Sequence, residues 1–255
     1  MYCGEVKKPI DVTRFWGLRY RLSYSAYPPG SPSKSLGNLD SSWCTNLLYY
    51  GKEAADPASA EAAWQKKRWS CWQKQFIVPT AETTDPRKEI TEQLSVPTQV
   101  PTTVVYFFCQ CSAGSGNMPL LQFDPDEKPI RHTEIGGAEL ADHPLIFANA
   151  CVTGGSPPQI VNQLEKSFFD KKCRAYIGTE TRVPIPMASR FASVFFYFFY
   201  RFIDSKPLAA GEALSQARRF LWAHYKNLGG LFYAQINQYN LYMASDAEIK
   251  TLREW

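Results

Sequence analysis

Two nearly unbroken apolar runs constrain this chain more than any other feature. Thr102-Thr-Val-Val-Tyr-Phe-Phe-Cys109 and Pro144-Leu-Ile-Phe-Ala-Asn-Ala-Cys151 carry β-branched, aromatic or aliphatic residues at successive positions, the second interrupted only by Asn149. A strand with one wet face alternates; a run apolar at every position is a strand covered on both faces, as in a parallel sheet held between helices. The second run leads into a helical pattern. After Ser156-Pro157-Pro158, where Ser caps and Pro occupies the first turn, Ile160, Leu164 and Phe168 recur every four residues. Cys173–Gly178 is a further short strand, Ala188–Ile203 an aromatic helix, and Gly211–Tyr225 an amphipathic helix with Ala213, Ala217, Phe220 and Leu221 inward. Strands alternating with helices of this length predict an α/β fold with a mainly parallel sheet covered on both faces.

The first half of the chain is less patterned. Phe15–Tyr24 alternates well enough for a strand, the Tyr27-Pro-Pro-Gly stretch is loop by composition, and Leu47–Gly51 is a short buried strand. Ala58–Phe76 reads as a helix with Ala60, Ala63, Trp64, Lys67 and Cys71 near one face. Asp85 caps a second helix that opens at Pro86 and runs to Leu94. Gly114 and Gly116 break the strand that begins at Thr102, and Leu120–Asp124 is a short strand beyond the break. The expected organisation is an N-terminal extension, or the edge of a longer parent chain, over residues 1–45, followed by one domain over 46–255.

Composition narrows the function. With 28 Lys and Arg against 24 Asp and Glu the net charge is +4, too mild and scattered to point to nucleic acid. The most apolar stretch, Phe191–Ile203, is interrupted by Arg201 and falls short of the roughly 20 apolar residues of a membrane span. Met1–Ile10 holds Glu5, Lys7 and Lys8 and leads into no apolar signal region. A soluble, cytoplasmic protein is expected. The seven cysteines, at 3, 44, 71, 109, 111, 151 and 173, are odd in number and irregular in spacing, which suits reduced thiols. Cys109-Gln110-Cys111 lacks the spacing of a zinc pair, and neither metal nor cofactor is expected.

Reactive groups in open α/β sheets gather at the carboxyl ends of strands. Two such ends here carry unusual residues, Phe108–Gly114 and Ala148–Gly154. Cys151 stands at the mouth of a Gly-rich turn that leads into a capped helix. Helix N-terminal N–H groups there favour a thiolate and can stabilise an oxyanion. The alternative reading is a buried Cys filling a gap at a strand end. Cys111, placed just past its strand, is either an ordinary loop thiol or a redox partner for Cys151.

Pro144–Gly154 resembles the nucleophile motif of the CHAT family, the caspase-like cysteine peptidases of the caspase–separase clan. Phe168-Phe169 with Cys173–Thr179, Ala188–Ala192 with Phe198–Tyr200, and Leu208–Arg218 resemble the family's next blocks, in family order. With the Val104–Gly114 strand, the resemblance covers roughly the C-terminal 60% of the chain. It implies a caspase-like three-layer α/β/α sandwich in which Cys151 holds the nucleophile position. Gly154 and Gly114 are then turn positions around the oxyanion hole, Asn149 either orients that turn or satisfies backbone groups, and Glu180, after the next strand, either shapes the substrate pocket or is a solvated strand-end side chain. It also implies a polypeptide substrate or protein partner, with helical-repeat regions as regulators.

The acid/base position of the family, a His normally followed by Gly, falls on Gln110. A carboxamide donates and accepts hydrogen bonds but takes no proton near neutral pH. A positioned acid/base supplies roughly 10²- to 10⁴-fold in rate, so this departure touches the chemistry itself. Several readings stay open: a pseudo-peptidase that binds without cutting, a peptidase with a substitute base, or a structural module without a working cleft. A misread strand, or a Gln that replaces a native His, is a further possibility. Of the three histidines, His132 lies on the loop between the two strands and is the candidate substitute base. His143 precedes the nucleophile strand, about 25 Å from Cys151 at about 3.3 Å per residue. His224 falls late in the last amphipathic helix, where it suits the helix dipole.

Overall fold

In the computed structural model, residues 16–19, 24–25, 37–39, 44–48, 57–69, 75–77, 86–95, 102–124, 126–135, 139–140, 143–152, 158–179, 181–200, 202–203, 206–237 and 241–243 are described. In chain order the elements are α1 (Trp16–Arg19), β1 (Tyr24–Ser25), β2 (Gly37–Leu39), β3 (Cys44–Leu48), α2 (Pro57–Trp69), β4 (Gln75–Ile77), α3 (Pro86–Gln93) and β5 (Val104–Ala113). They continue with β6 (Pro119–Gln122), β7 (Ile130–Arg131), β8 (Leu145–Val152), α4 (Pro158–Asp170), β9 (Ala175–Thr179) and α5 (Ile185–Tyr200). A short hairpin of β10 (Phe202–Ile203) and β11 (Lys206–Pro207) precedes α6 (Ala210–Tyr225), β12 (Tyr233–Asn237) and β13 (Leu241–Met243).

The two apolar runs become the central strands β5 and β8, parallel and in register from Val104↔Leu145 to Cys111↔Val152. The main sheet runs β1-β12-β9-β8-β5-β3-β4, with β6 and β7 attached beside the far end of β5. From β4 to β9 every neighbour in that order is parallel. β12 reverses against β9, and β6 returns antiparallel along the last residues of β5.

Burial on both faces follows from the residues. Val104, Tyr106, Phe108, Leu145 and Phe147 point into a core with α2, α5 and α6; Phe191, Phe195, Phe196 and Phe199 of α5 fill it. The alternate positions Val105, Phe107, Cys109, Ile146 and Ala148 join Ile90 of α3 and Leu164 and Phe168 of α4 on the other side. The result is the three-layer α/β sandwich expected from the alternating pattern. Phe147 meets the rings of Tyr106 at 5.4 Å, Phe195 at 5.0 Å and Tyr233 at 6.0 Å, all near edge-on, the arrangement that aromatic quadrupoles favour. The Phe195–Tyr200 run is accordingly core on most of its turns, with Tyr197 exposed.

Several expectations need correction. Trp16–Arg19 is a helical turn within the stretch read as a strand, and Arg219 of α6 donates from Nε to the Leu18 carbonyl at 2.9 Å. The helix read as Ala58–Phe76 stops at Trp69 and gives way to β4. Its buried residues are Ala58, Ala62, Gln65 and Trp69, a stripe rotated from the one expected. Gln65 lies inside because its amide donates to Ser189 Oγ of α5 at 2.9 Å. The described pieces of the first 45 residues join the C-terminal segment: β1 pairs with β12 and β2 with β13, both parallel. Strands β12 and β13 themselves had no counterpart in the pattern reading. Ser156 and Asp85, expected as caps, lie outside the described residues. Among the described residues no helix is long and apolar enough to cross a membrane.

Candidate functional site

The carboxyl ends of β5 and β8 meet at one edge of the sheet. Register pairs Gln110 with Cys151, so the two residues stand side by side on neighbouring parallel strands, whose spacing is about 4.8 Å. Residues at one level of adjacent parallel strands share a face of the pleat. For Gln110 that is the α5–α6 face, since Phe108, of the same parity, lies in its core. Gln110 is half-buried. It belongs to the strand and does not merely follow it: β5 continues to Ala113 because β6 pairs with its last residues, Gln110 opposite Gln122.

The two strands flanking β8 end at different heights. Pairing with β9 stops at Ala148↔Gly178, whereas pairing with β5 continues to Val152↔Cys111. Beyond Ala148, the pairs of β8 among the described residues are therefore with β5 alone. Its other side, at the level of Cys151, pairs with no described strand, and an edge of that kind is one to which an extended chain can add.

Beneath the pair the structure is closed. Asn149, two residues before Cys151, has no exposed surface. Its Nδ2 donates to the Tyr106 hydroxyl at 3.0 Å and to the Ala188 carbonyl at 2.8 Å, and its Oδ1 accepts from the Tyr233 hydroxyl at 2.7 Å. The Asn149 side chain is thus a buried strut. Gly114 also differs from expectation: its N–H donates to the Met118 carbonyl at 2.8 Å, closing the β5–β6 turn. A Cβ at Gly114 would lie 3.0 Å from Leu120 Cδ1, so the close return of β6 leaves little room for a larger residue there. Gly154 and Glu180 lie outside the described residues.

His132 sits in a 3-10 turn, buried, with Nδ1 in hydrogen-bond contact with the Pro119 carbonyl at 3.0 Å. Burial holds its pKa below the usual imidazole value, opposed by the Pro119 carbonyl and reinforced by the nearby Lys171 ammonium. Lys171, at the end of α4, donates from Nζ to the carbonyls of Thr133 (2.8 Å) and Ile135. These contacts tie the 132–135 turn to the α4 side of the sheet, whereas Gln110 has the parity of the α5 side. His132 thus has a fold-holding position. His143 is exposed ahead of β8, near the Lys172 carbonyl at 3.2 Å. His224 is exposed in the last turn of α6, with its ring 4.1 Å from that of Phe220.

Cys111 is a strand residue in the α4-side core, one position out of step with Cys151. Burial pushes its thiol up to about 12, with a smaller opposing effect of a Leu120 backbone hydrogen bond. A thiol so placed stays protonated and is a filler of the core. Cys173 is likewise raised by burial, with the Glu165 carboxylate adding to the effect. Among the described residues no three metal-ligating side chains gather.

What pattern reading missed in the Asn149 network was its partners on other strands, the hydroxyls of Tyr106 and Tyr233. A lone polar residue inside an apolar strand was the available signal, since a buried amide must find partners.

No family model matches the sequence. Over 152 residues the chain is 31% identical to a protein named as a probable protease from Vitiosangium sp. (strain GDMCC 1.1324); the match covers 56% of this chain and 19% of that relative. The chain therefore spans about a fifth of the length of the curated relative it matches. Among solved structures it is similar to the Saccharomyces cerevisiae separase–securin complex, with TM-score 0.49 and 10% identity over 84% of this chain and 13% of that one. It is also similar to the Arg-specific cysteine proteinase gingipain R, with TM-score 0.49 and 11% identity over 79% of this chain and 47% of that one. Both structural likenesses are distant.

Proposed function

We propose that this chain is a caspase-like cysteine-peptidase domain of the CHAT kind whose acid/base position is occupied by Gln110, and that it binds polypeptide far better than it cuts it. The observation that carries this reading is the register of Gln110 with Cys151 at the carboxyl ends of two central parallel strands. The naming of a partial relative as a probable protease is in keeping with it.

In the proposed chemistry the Cys151 sulfur would add to a peptide carbonyl, and backbone N–H groups of the turn would receive the developing oxyanion. The leaving amine must then be protonated, and a carboxamide has no proton to give it. An extended peptide would instead rest along the side of β8 that pairs with no described strand beyond Ala148, held by main-chain hydrogen bonds. The buried His132 does not supply the missing base in this reading, because its ring is engaged on the other side of the sheet. The resemblance brings with it helical-repeat regions as regulators and a cytoplasmic setting, and both belong to the proposal.

The test is labelling with a thiol-reactive peptidyl probe of the native protein, Gln110→His and Cys151→Ala. The expected result is background labelling of the native chain and faster labelling of Gln110→His by about 10²-fold or more, the low end of what a positioned base supplies. Cys151→Ala should label in neither background. Equal rapid labelling of native protein and Gln110→His would overturn the pseudo-peptidase reading. If neither labels and no peptide binds, the cleft itself would be refuted.

A further inference from the structure

We infer that Asn149 is a positioning residue for the β5–β8 tip, acting through the hydroxyls of Tyr106 and Tyr233; this rests on the proposed roles of Gln110 and Cys151. The argument starts from where backbone support stops. The last β8–β9 pair is Ala148↔Gly178, and Asn149 is the next residue along β8. From that point, among the described residues, the ladder pairs β8 with β5 alone. At this residue a side chain takes over what the ladder no longer provides.

Its three hydrogen bonds reach three separate elements. Tyr106 belongs to β5, Ala188 to the first turn of α5, and Tyr233 to β12, beyond β9. Each anchor is itself immobilised. The Tyr233 ring stacks on Phe191 of α5 at 3.8 Å and 12°, and its carbonyl accepts from the Arg218 guanidinium of α6. The Tyr106 ring stands edge-on to Trp69 of α2 at 5.3 Å. The turn of α5 that holds Ala188 is pinned from its other side by Gln65, whose amide reaches Ser189. Asn149 is paired with Phe108 on β5. The layer containing Asn149 and Phe108 therefore lies one two-residue step, about 6.6 Å along the strands, below the layer of Cys151 and Gln110.

The separation of the proposed reacting pair is set by two strand tips, and one of them pairs with no described strand on its outer side. A shift of about 1 Å in such a pair costs up to about 10²-fold in rate. A buried carboxamide with no free rotamer, tied to elements on both sides, is a means of holding it. A purely apolar residue at 149 would fill the space and leave the tip hinged on β5.

The test uses Tyr233→Phe and Tyr106→Phe, which remove the hydroxyls and keep the rings. Loss of one such bond should raise local opening about fivefold. Amide hydrogen exchange should therefore accelerate in peptides covering 108–113 and 148–152, while the strand bodies at 103–106 and 144–147 exchange as in the native protein. In the Gln110→His background, Tyr233→Phe should also lower peptidyl-probe labelling of Cys151 about tenfold. Unchanged exchange at the tips would overturn the inference. So would acceleration spread evenly over the sheet, which is the signature of a merely structural role. Looser tips with undiminished labelling of Gln110→His, Tyr233→Phe would overturn it too. Tip-selective acceleration in a protein whose Gln110→His variant never labels would leave the positioning role standing and remove the proposed reacting pair instead.

Discussion

Asn149→Asp exchanges one NH2 group for an oxygen at constant size, and the structure says what that should do. The native amide donates twice and accepts once, at 2.7 to 3.0 Å, with no exposed surface. An ionised aspartate at this position would set an anionic oxygen against the Ala188 carbonyl in a site remote from water. Desolvation therefore raises its folded-state pKa above the ordinary value of about 3.9. The protonated acid can still donate once, so at low pH the loss is about one neutral hydrogen bond, about 1 kcal/mol. As pH rises past about 3.9 the unfolded chain releases a proton that the folded chain keeps, and each further unit costs about 1.36 kcal/mol until the folded-state pKa is reached. Stability is thus lost as pH rises. Between pH 4 and pH 7 the additional penalty reaches about 4 kcal/mol if the folded group stays protonated throughout, and about 1.5 kcal/mol if it ionises near pH 5. Urea unfolding of native and variant protein in parallel, from pH 4 to pH 7, measures the difference and cancels the native pH dependence. A difference that stays flat within about 0.5 kcal/mol over that range would refute the buried network. Asn149→Leu is the control: its loss should not depend on pH.

Phe147→Ala should cost about 3–5 kcal/mol, because its ring has no exposed surface and meets Tyr106, Phe195 and Tyr233. Calorimetry should show Tm falling by about 2–4 °C per kcal/mol, and a drop of less than about 4 °C would contradict the packing. Cys111, held up to about 12 by burial, should resist iodoacetamide at pH 8 in the folded protein and react once urea unfolds it; peptide mass mapping reads the site. Burial lowers the His132 pKa, so its contribution to stability is present above about 6.5 and is lost as pH falls through the depressed folded value. His132→Gln should flatten that part of the stability profile. Lys171→Met removes the donor to the Thr133 and Ile135 carbonyls; exchange over 130–135 should accelerate, with a loss of about 1–3 kcal/mol.

The central strands were legible in the sequence because burial on both faces leaves no room for polar residues. Both appear within a few residues of the expected limits, as do α4, α5 and α6. Their spacing is local, and the core they build uses the residues that pattern reading placed inward, Ala213, Ala217 and Leu221 among them. The pair at the strand ends was partly legible. Residue order put Gln110 and Cys151 at the ends of consecutive parallel strands, but the length of β5 depended on β6 returning beside it. The N-terminal stretch was misread for the same kind of reason. What its segments become depends on partners that lie about 200 residues away in the chain, as in the contact of Arg219 with Leu18.

Chain order and side-chain type alone determined a mainly parallel α/β sandwich, with a thiol and a carboxamide at the ends of its two central strands. These are consequences of local burial patterns and of the chemistry of single groups. Tertiary structure alone decided that Gln110 and Cys151 share a register, that β8 outruns β9, and that Asn149 locks the layer beneath them. It also turned Cys111 and His132 to the other side of the sheet. The physical reason is that a strand's register and length are set by hydrogen bonds to its neighbours, and those neighbours are brought together only when the whole core closes.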